Sequence, residues 1–108
     1  MLLRRIKILL IAITTCLFVA CAPSERALKI AKLSGDAAEG KVYYENKCSR
    51  CHGTDGKGGQ GVNLIEHRDG HDDAELIDMI LEGSGTMPSF NHLEDQEIAD
   101  IISHIRAL

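Results

Sequence analysis

The chain contains no tryptophan, and beyond residue 20 its only aromatic residues are Tyr43, Tyr44 and Phe90. With 108 residues and so few large side chains, it has little with which to fill a hydrophobic core. Something other than side chains is expected in the middle. Basic charge is also scarce where a nucleic-acid binder needs it. Lys and Arg total 12 against 16 Asp and Glu, and Arg4, Arg5 and Lys7 all precede the first acid. Positions 21–108 therefore hold 9 basic and 16 acidic residues, a formal charge of −7. Such a surface does not meet a phosphate backbone, so no nucleic-acid partner is expected. Of the 4 cysteines, Cys16 and Cys21 fall in or beside an apolar leader, which leaves Cys48 and Cys51 and no disulfide framework.

Residues 1–20 read as a bacterial export signal. Arg4, Arg5 and Lys7 form its positive start, and Ile8 to Ala20 runs without a charge. The run is shorter than the ~20 apolar residues of a bilayer span. Leu17-Phe18-Val19-Ala20-Cys21 resembles a lipobox, in which Cys21 carries a lipid and the chain is cut before it; Phe18 departs from the commoner leucine. An uncleaved anchor and simple secretion are the alternatives, and all three place the remaining chain outside the inner membrane. Ala22 is not acidic, which favours the outer membrane in a cell that has one. Residues 21–35 are expected to be the lipidated cysteine and a tether, with an amphipathic turn over Arg26 to Leu33 as the alternative. The domain proper is expected over 36–108.

Cys48-Ser49-Arg50-Cys51-His52 gives the remaining cysteines a purpose. Outside the cytoplasm a reduced Cys-x-x-Cys pair tends to oxidise unless chemistry protects it. Two thiols on one helical turn can reach the two vinyl groups of a porphyrin, and the next residue then offers its imidazole to the iron from the same side. This is the attachment motif of a c-type haem. A thioredoxin-like pair needs a preceding strand, and none precedes Cys48. A zinc site needs two more ligands; His67 and His71 are four apart but are expected in a glycine-flanked loop.

Three helices are expected around the motif. The first spans 36–47, with Asp36 and Glu39 at capping-box spacing and Gly40 in its middle, where close approach of another backbone is implied. The second spans 72–82, with Asp72 and Glu75 repeating that spacing and Leu76, Ile77, Ile80 and Leu81 forming an apolar stripe. The third spans 93–108, with Ile98, Ile101, Ile102, Ile105 and Leu108 at helical period. Five glycines between 53 and 61 predict a tight loop near a flat ligand. Met87 precedes Pro88 in a loop, an unusual place for a core methionine, whereas Met79 lies inside the second helix and reads as core filler or half-exposed packing. The acidic run Asp69, Asp72, Asp73, Glu75 and Asp78 reads as a solvated face, with a negative docking surface as the alternative.

Over residues 36–108 the chain resembles a class I cytochrome c. The resemblance rests on Gly40, Tyr44, Cys48, Cys51 and His52 in order, on Gly61-Val62-Asn63-Leu64, on Met87-Pro88-Ser89-Phe90, and on the helix from Ile98 to Ile105. It implies an all-α cytochrome c fold, about three main helices wrapped around one covalently bound haem. It implies Cys48 and Cys51 as the haem thioethers, His52 as the proximal iron ligand and Met87 as the distal one, with His92 as the runner-up. It also implies that Gly40 allows the first and last helices to cross, with Tyr44, Ile101 and His104 meeting there. The chain departs from the family at Val62, where proline is usual, and at His104, where an aromatic is usual. The carbonyl of residue 62 normally accepts from the proximal imidazole, and valine keeps that carbonyl.

The function so implied is one-electron transfer by a monomer, not catalysis. The expected partners are membrane-associated redox proteins: a dehydrogenase, a cytochrome complex or a terminal oxidase. A haem enzyme or gas sensor with a labile sixth ligand, and a relay-haem subunit of a larger oxidoreductase, are the alternatives.

Overall fold

The computed structural model describes residues 22–108, and the signal over 1–20 and the lipid site at Cys21 lie outside them. The described residues form six helices: α1 (Glu25–Ala31), α2 (Ala37–Lys47), α3 (Ser49–His52), α4 (Leu64–Asp69), α5 (Asp73–Glu82) and α6 (Asp95–Ala107). They contain no named strand, only an isolated bridge between Ser84 and Met87. The expected all-α architecture is what the chain adopts, with α2, α5 and α6 as its three main helices.

Local chemistry sets the helix ends. Asp36 caps α2 by accepting from the amides of Ala38 and Glu39. The return bond of a capping box is replaced there, because the Asp36 amide donates instead to Asp100 Oδ1 of α6 at 2.8 Å. The box expected at α5 is complete: Asp72 accepts from the Glu75 amide at 2.9 Å and Glu75 accepts from the Asp72 amide at 3.0 Å. The last helix starts at Asp95 rather than at residue 93. Glu94 is its N-cap, and Leu93 turns into the core instead.

The crossing of α2 over α6 organises the molecule. A Cβ on Gly40 would collide with the carbonyl of Asp100, so only glycine lets the two backbones come this close. Tyr44, Ile98 and Ile101 are fully buried around the crossing. The carboxylate of Asp100, also buried, accepts from Gln96 and from the Asp36 amide. Leu76, Ile77, Ile80 and Leu81 of α5 complete the core, as their stripe predicts.

Residues 25–31 differ from the expected tether. They form α1, which packs on α5 and α6 through Ala27 and Ile30, both essentially fully buried. Ser24 caps α1 by accepting from the Ala27 amide, and its own amide donates to Asp78 at 2.7 Å. The Arg26 guanidinium bonds to Asp95 and to the carbonyls of Asn91 and Leu93. Two inward positions in a seven-residue helix are too few to stand out as a period, but burying Ile30 alone contributes roughly 1.5–3 kcal/mol.

Candidate functional site

α2 delivers the motif. Its last turn ends at Cys48, whose amide donates to Tyr44 O at 2.8 Å, and the single turn α3 carries Cys51 and His52. Both cysteines are half-buried and unpaired, and both line one cavity of about 740 Å³. That size lies within the ~300–1,000 Å³ usual for cofactor pockets. Burial pushes the Cys48 thiol up to about 11, with Lys47 pulling weakly the other way.

The glycine loop is tied back to the motif. Gly61 N donates to Cys51 O and Gly58 N to His52 O, each at 2.8 Å. Gly61 passes so close beneath the imidazole that a Cβ there would lie 2.7 Å from His52 Cε1. That approach brings the Val62 carbonyl to 2.9 Å from His52 Nδ1. A carbonyl only accepts, so the contact places the proton on Nδ1 and leaves the Nε2 lone pair free for a metal. Valine at 62 thus preserves the contact that the resemblance assigned to proline. Tyr44 supports the same region: its hydroxyl donates to Gly53 O at 2.6 Å. Burial raises the Tyr44 hydroxyl to about 12, so it stays a donor at physiological pH.

Met87 lines the same cavity. It sits after a tight turn in which Ser84 N donates to Met87 O at 3.2 Å and Met87 N to Ser84 O at 2.9 Å. Pro88 follows, and Ser89 Oγ fixes the segment onto Leu81 O. Among the described residues no polar partner touches the Met87 sulfur. Leu64, Leu76, Ile80, Phe90 and Ile105 supply apolar wall. Two thiols on one turn, a pre-oriented imidazole, a loop thioether and an apolar cavity together fit a haem held by thioether links.

The structure also brings other side chains to the cavity. His67, expected in a loop, lies in α4, which Asn63 caps by accepting from the Ile65 and Glu66 amides. Asn63 followed by Glu66 has the spacing of a cap, a signal present in the sequence. His67 Nε2 meets Met79 Sδ at 3.2 Å, and the rings of His67 and His71 lie 4.5 Å apart. All three residues line the cavity. Met79 is half-exposed packing on the cavity side of α5, one of the two roles expected for it, and its sulfur already has a partner. His92 is exposed beside Phe90 and is not part of the cavity wall. His104 packs on Tyr44, as the resemblance implies.

The acidic run is largely engaged within the fold. Asp72 caps α5, Asp73 pairs with Arg106 at 2.8 Å, Asp78 accepts from Ser24, and Glu75 faces His71 at 3.3 Å. Asp69, Asp72 and Glu75 nonetheless stay exposed, as expected of a solvated face.

The chain is similar to several known proteins. The family described as "Cytochrome C oxidase, cbb3-type, subunit III" matches residues 35–105. Cytochrome c-551 of Bacillus subtilis (strain 168) is 32% identical over 102 residues, covering 90% of each chain. A cytochrome c-553-like protein of Synechocystis sp. is 27% identical over 81 residues, covering 74% of this chain and 76% of its own. Among solved structures, cytochrome cL from Hyphomicrobium denitrificans matches with a TM-score of 0.60 and 27% identity over 77% of this chain. The chain spans about half (51%) of the length of that structure.

Proposed function

Because this chain belongs to the cytochrome c family and carries a covalently bound haem c as an electron carrier, we propose that it works outside the inner membrane, held there by lipid on Cys21, with His52 and Met87 as the axial ligands and Cys48 and Cys51 as the thioether links. The observation that carries the ligand assignment is the 2.9 Å contact of His52 Nδ1 with Val62 O, which fixes the tautomer and aims the other nitrogen.

The haem supplies one-electron iron chemistry when bound. The chain supplies the rest. The Val62 carbonyl holds the imidazole in one orientation and raises its basicity. The Ser84–Met87 turn and Pro88 hold the thioether in place, and a soft sulfur ligand raises the potential. The apolar walls favour the less charged state of the bound group and exclude water. With His52 and Met87 both holding the iron, no position would be left for oxygen or peroxide, which is why the chain is read as a carrier and not an enzyme. A monomer that exchanges electrons with a membrane dehydrogenase, cytochrome complex or terminal oxidase fits this site.

The test is spectroscopic. Protein matured with its haem should show the weak red-edge band of sulfur-to-iron charge transfer in the ferric state and should bind CO slowly in the ferrous state. Rapid CO binding at neutral pH would instead indicate a labile sixth ligand, as in a gas sensor or haem enzyme. A pyridine haem spectrum with intact mass reports the number of thioether links and the lipid on Cys21.

A further inference from the structure

The domain is acidic except along its first helix. Positions 34–108 carry 6 basic and 15 acidic residues, a formal −9, whereas positions 22–33 carry Arg26, Lys29 and Lys32 against Glu25. Arg26 is committed to Asp95, Asn91 and Leu93. Lys29 and Lys32 are exposed, and Lys29 makes only a 3.8 Å ion pair with Asp95 while its side chain stays 75% accessible. Beside them are two leucines that the fold leaves in water: Leu28 at 46% and Leu33 at 38% exposure. Ala27 and Ile30 carry the packing from the other side of the same segment. The outer face thus combines two leucines with two lysines, a composition suited to the boundary between headgroups and acyl chains in anionic lipid.

The position of this face in the chain adds a second constraint. Only Ala22 and Pro23 separate Cys21 from Ser24, and Ser24 is fixed to Asp78 through both its amide and its hydroxyl. Three Cα steps span at most ~11 Å, about one helix diameter. A chain held in the membrane at Cys21 therefore brings the start of α1 down to the headgroup layer, with no long spacer between them.

We propose that the outer face of α1 and of the turn that ends it, formed by Leu28, Lys29, Lys32 and Leu33, lies on anionic phospholipid and fixes the orientation of the haem domain on the membrane. This rests on the membrane-anchored reading above. The charge imbalance does the orienting: anionic lipid attracts this strip and repels the −9 remainder. An electron carrier held this way presents its haem at one angle to partners in the same membrane.

Linear dichroism of the haem in oriented bilayers tests it, using the full lipidated, haem-loaded chain. Stacks of phosphatidylcholine with phosphatidylglycerol should give a clear dichroic signal. The signal should vanish in phosphatidylcholine alone, vanish for the Lys29→Glu/Lys32→Glu double variant, and weaken for Leu28→Ser/Leu33→Ser. All four positions are exposed and none lines the cavity, so the variants should keep the parent haem spectrum, with a small loss of thermal stability where Lys29→Glu gives up the weak pair with Asp95. A signal that survives charge reversal, or a parent protein with no signal, overturns the proposal. A salt-sensitive dimer in detergent that the double variant dissolves gives the face to a second copy and also overturns it. Sedimentation beforehand separates a failed anchor from a failed patch: protein left in the supernatant refutes the lipid on Cys21 and the orientation with it, whereas anchored protein without dichroism refutes the patch alone.

Discussion

The imidazole of His104 packs against Tyr44, with ring centroids 4.9 Å apart and planes tilted by 55°. The same stack leaves His104 Nε2 buried with no hydrogen-bond partner among the described residues. A neutral imidazole tolerates this position better than a charged one. Burial lowers the His104 pKa, Lys41 on α2 lowers it further, and Glu45 opposes them.

The consequence is a pH-dependent stability with a definite sign. In the unfolded chain the imidazole takes up its proton near ~6.5, and in the folded chain it does so only at lower pH. The unfolded state therefore binds more protons in that window, and stability falls as pH drops through 6.5 until the folded value is passed. Denaturant titrations of the haem-loaded protein at neutral and mildly acidic pH should show this loss. His104→Phe, which keeps a ring against Tyr44, should flatten that part of the profile. A variant whose acid sensitivity matches the parent's would assign the effect to other groups.

The helix crossing makes a sharper prediction for Gly40. An added methyl there meets the Asp100 carbonyl, a backbone atom that cannot swing aside. Gly40→Ala should therefore cost about 1–3 kcal/mol by overpacking. Gly70→Ala is the matched control, because a Cβ there would meet only His67 O at 3.8 Å and the backbone has φ −92. It should be neutral or stabilise by ~0.4–1 kcal/mol. Equal effects from the two substitutions would mean that the crossing is not the tight point.

Much of this was legible beforehand, for a physical reason. Gly40, Tyr44, Cys48, Cys51 and His52 are close in sequence and act on one another through one helix and one turn, so spacing alone carries their geometry. The Asp72–Glu75 box is local in the same sense. What stayed hidden depends on distant partners. Whether Asp36 keeps its amide for Glu39 is decided by Asp100, 64 positions away. Whether residues 25–31 float or dock is decided by Asp78 and Asp95, which no local pattern connects to Ser24 and Arg26. His67 fell between the two: its cap at Asn63 was readable, but its contact with Met79 required knowing that α4 and α5 face one cavity.

That contact separates the two methionines. Met79 Sδ is engaged by His67, while Met87 sits in a braced turn with its sulfur unpartnered among the described residues. Met87→Ala should lower the reduction potential and admit CO, with the haem still covalently attached. Met79→Ala should leave both the potential and the red-edge band near those of the parent, and lose ~1–2 kcal/mol of stability at its partly exposed site, below the ~2–5 of a full core deletion. Potentiometry and CO titration of the two variants side by side decide the assignment. A reversed result would move the sixth ligand to the helix.

The docking of α1 is testable apart from any membrane. Ser24 holds the helix start in two ways, as the acceptor of the Ala27 amide and as the partner of Asp78. Ser24→Ala removes the cap and should cost ~1 kcal/mol. Arg26→Ala removes the links to Asp95, Asn91 and Leu93 and should cost ~1–2 kcal/mol, less than fully buried charged hydrogen bonds would, because the side chain is 38% exposed. Neither residue touches the cavity, so the haem spectrum and potential should stay at parent values. Hydrogen exchange gives the local readout: amides of residues 27–33 should lose protection in both variants, while those of α2 and α6 around the Gly40 crossing keep theirs. Protection lost equally throughout would show that α1 unfolds only with the whole domain and is as much a part of the cytochrome c core as the helices that hold the motif.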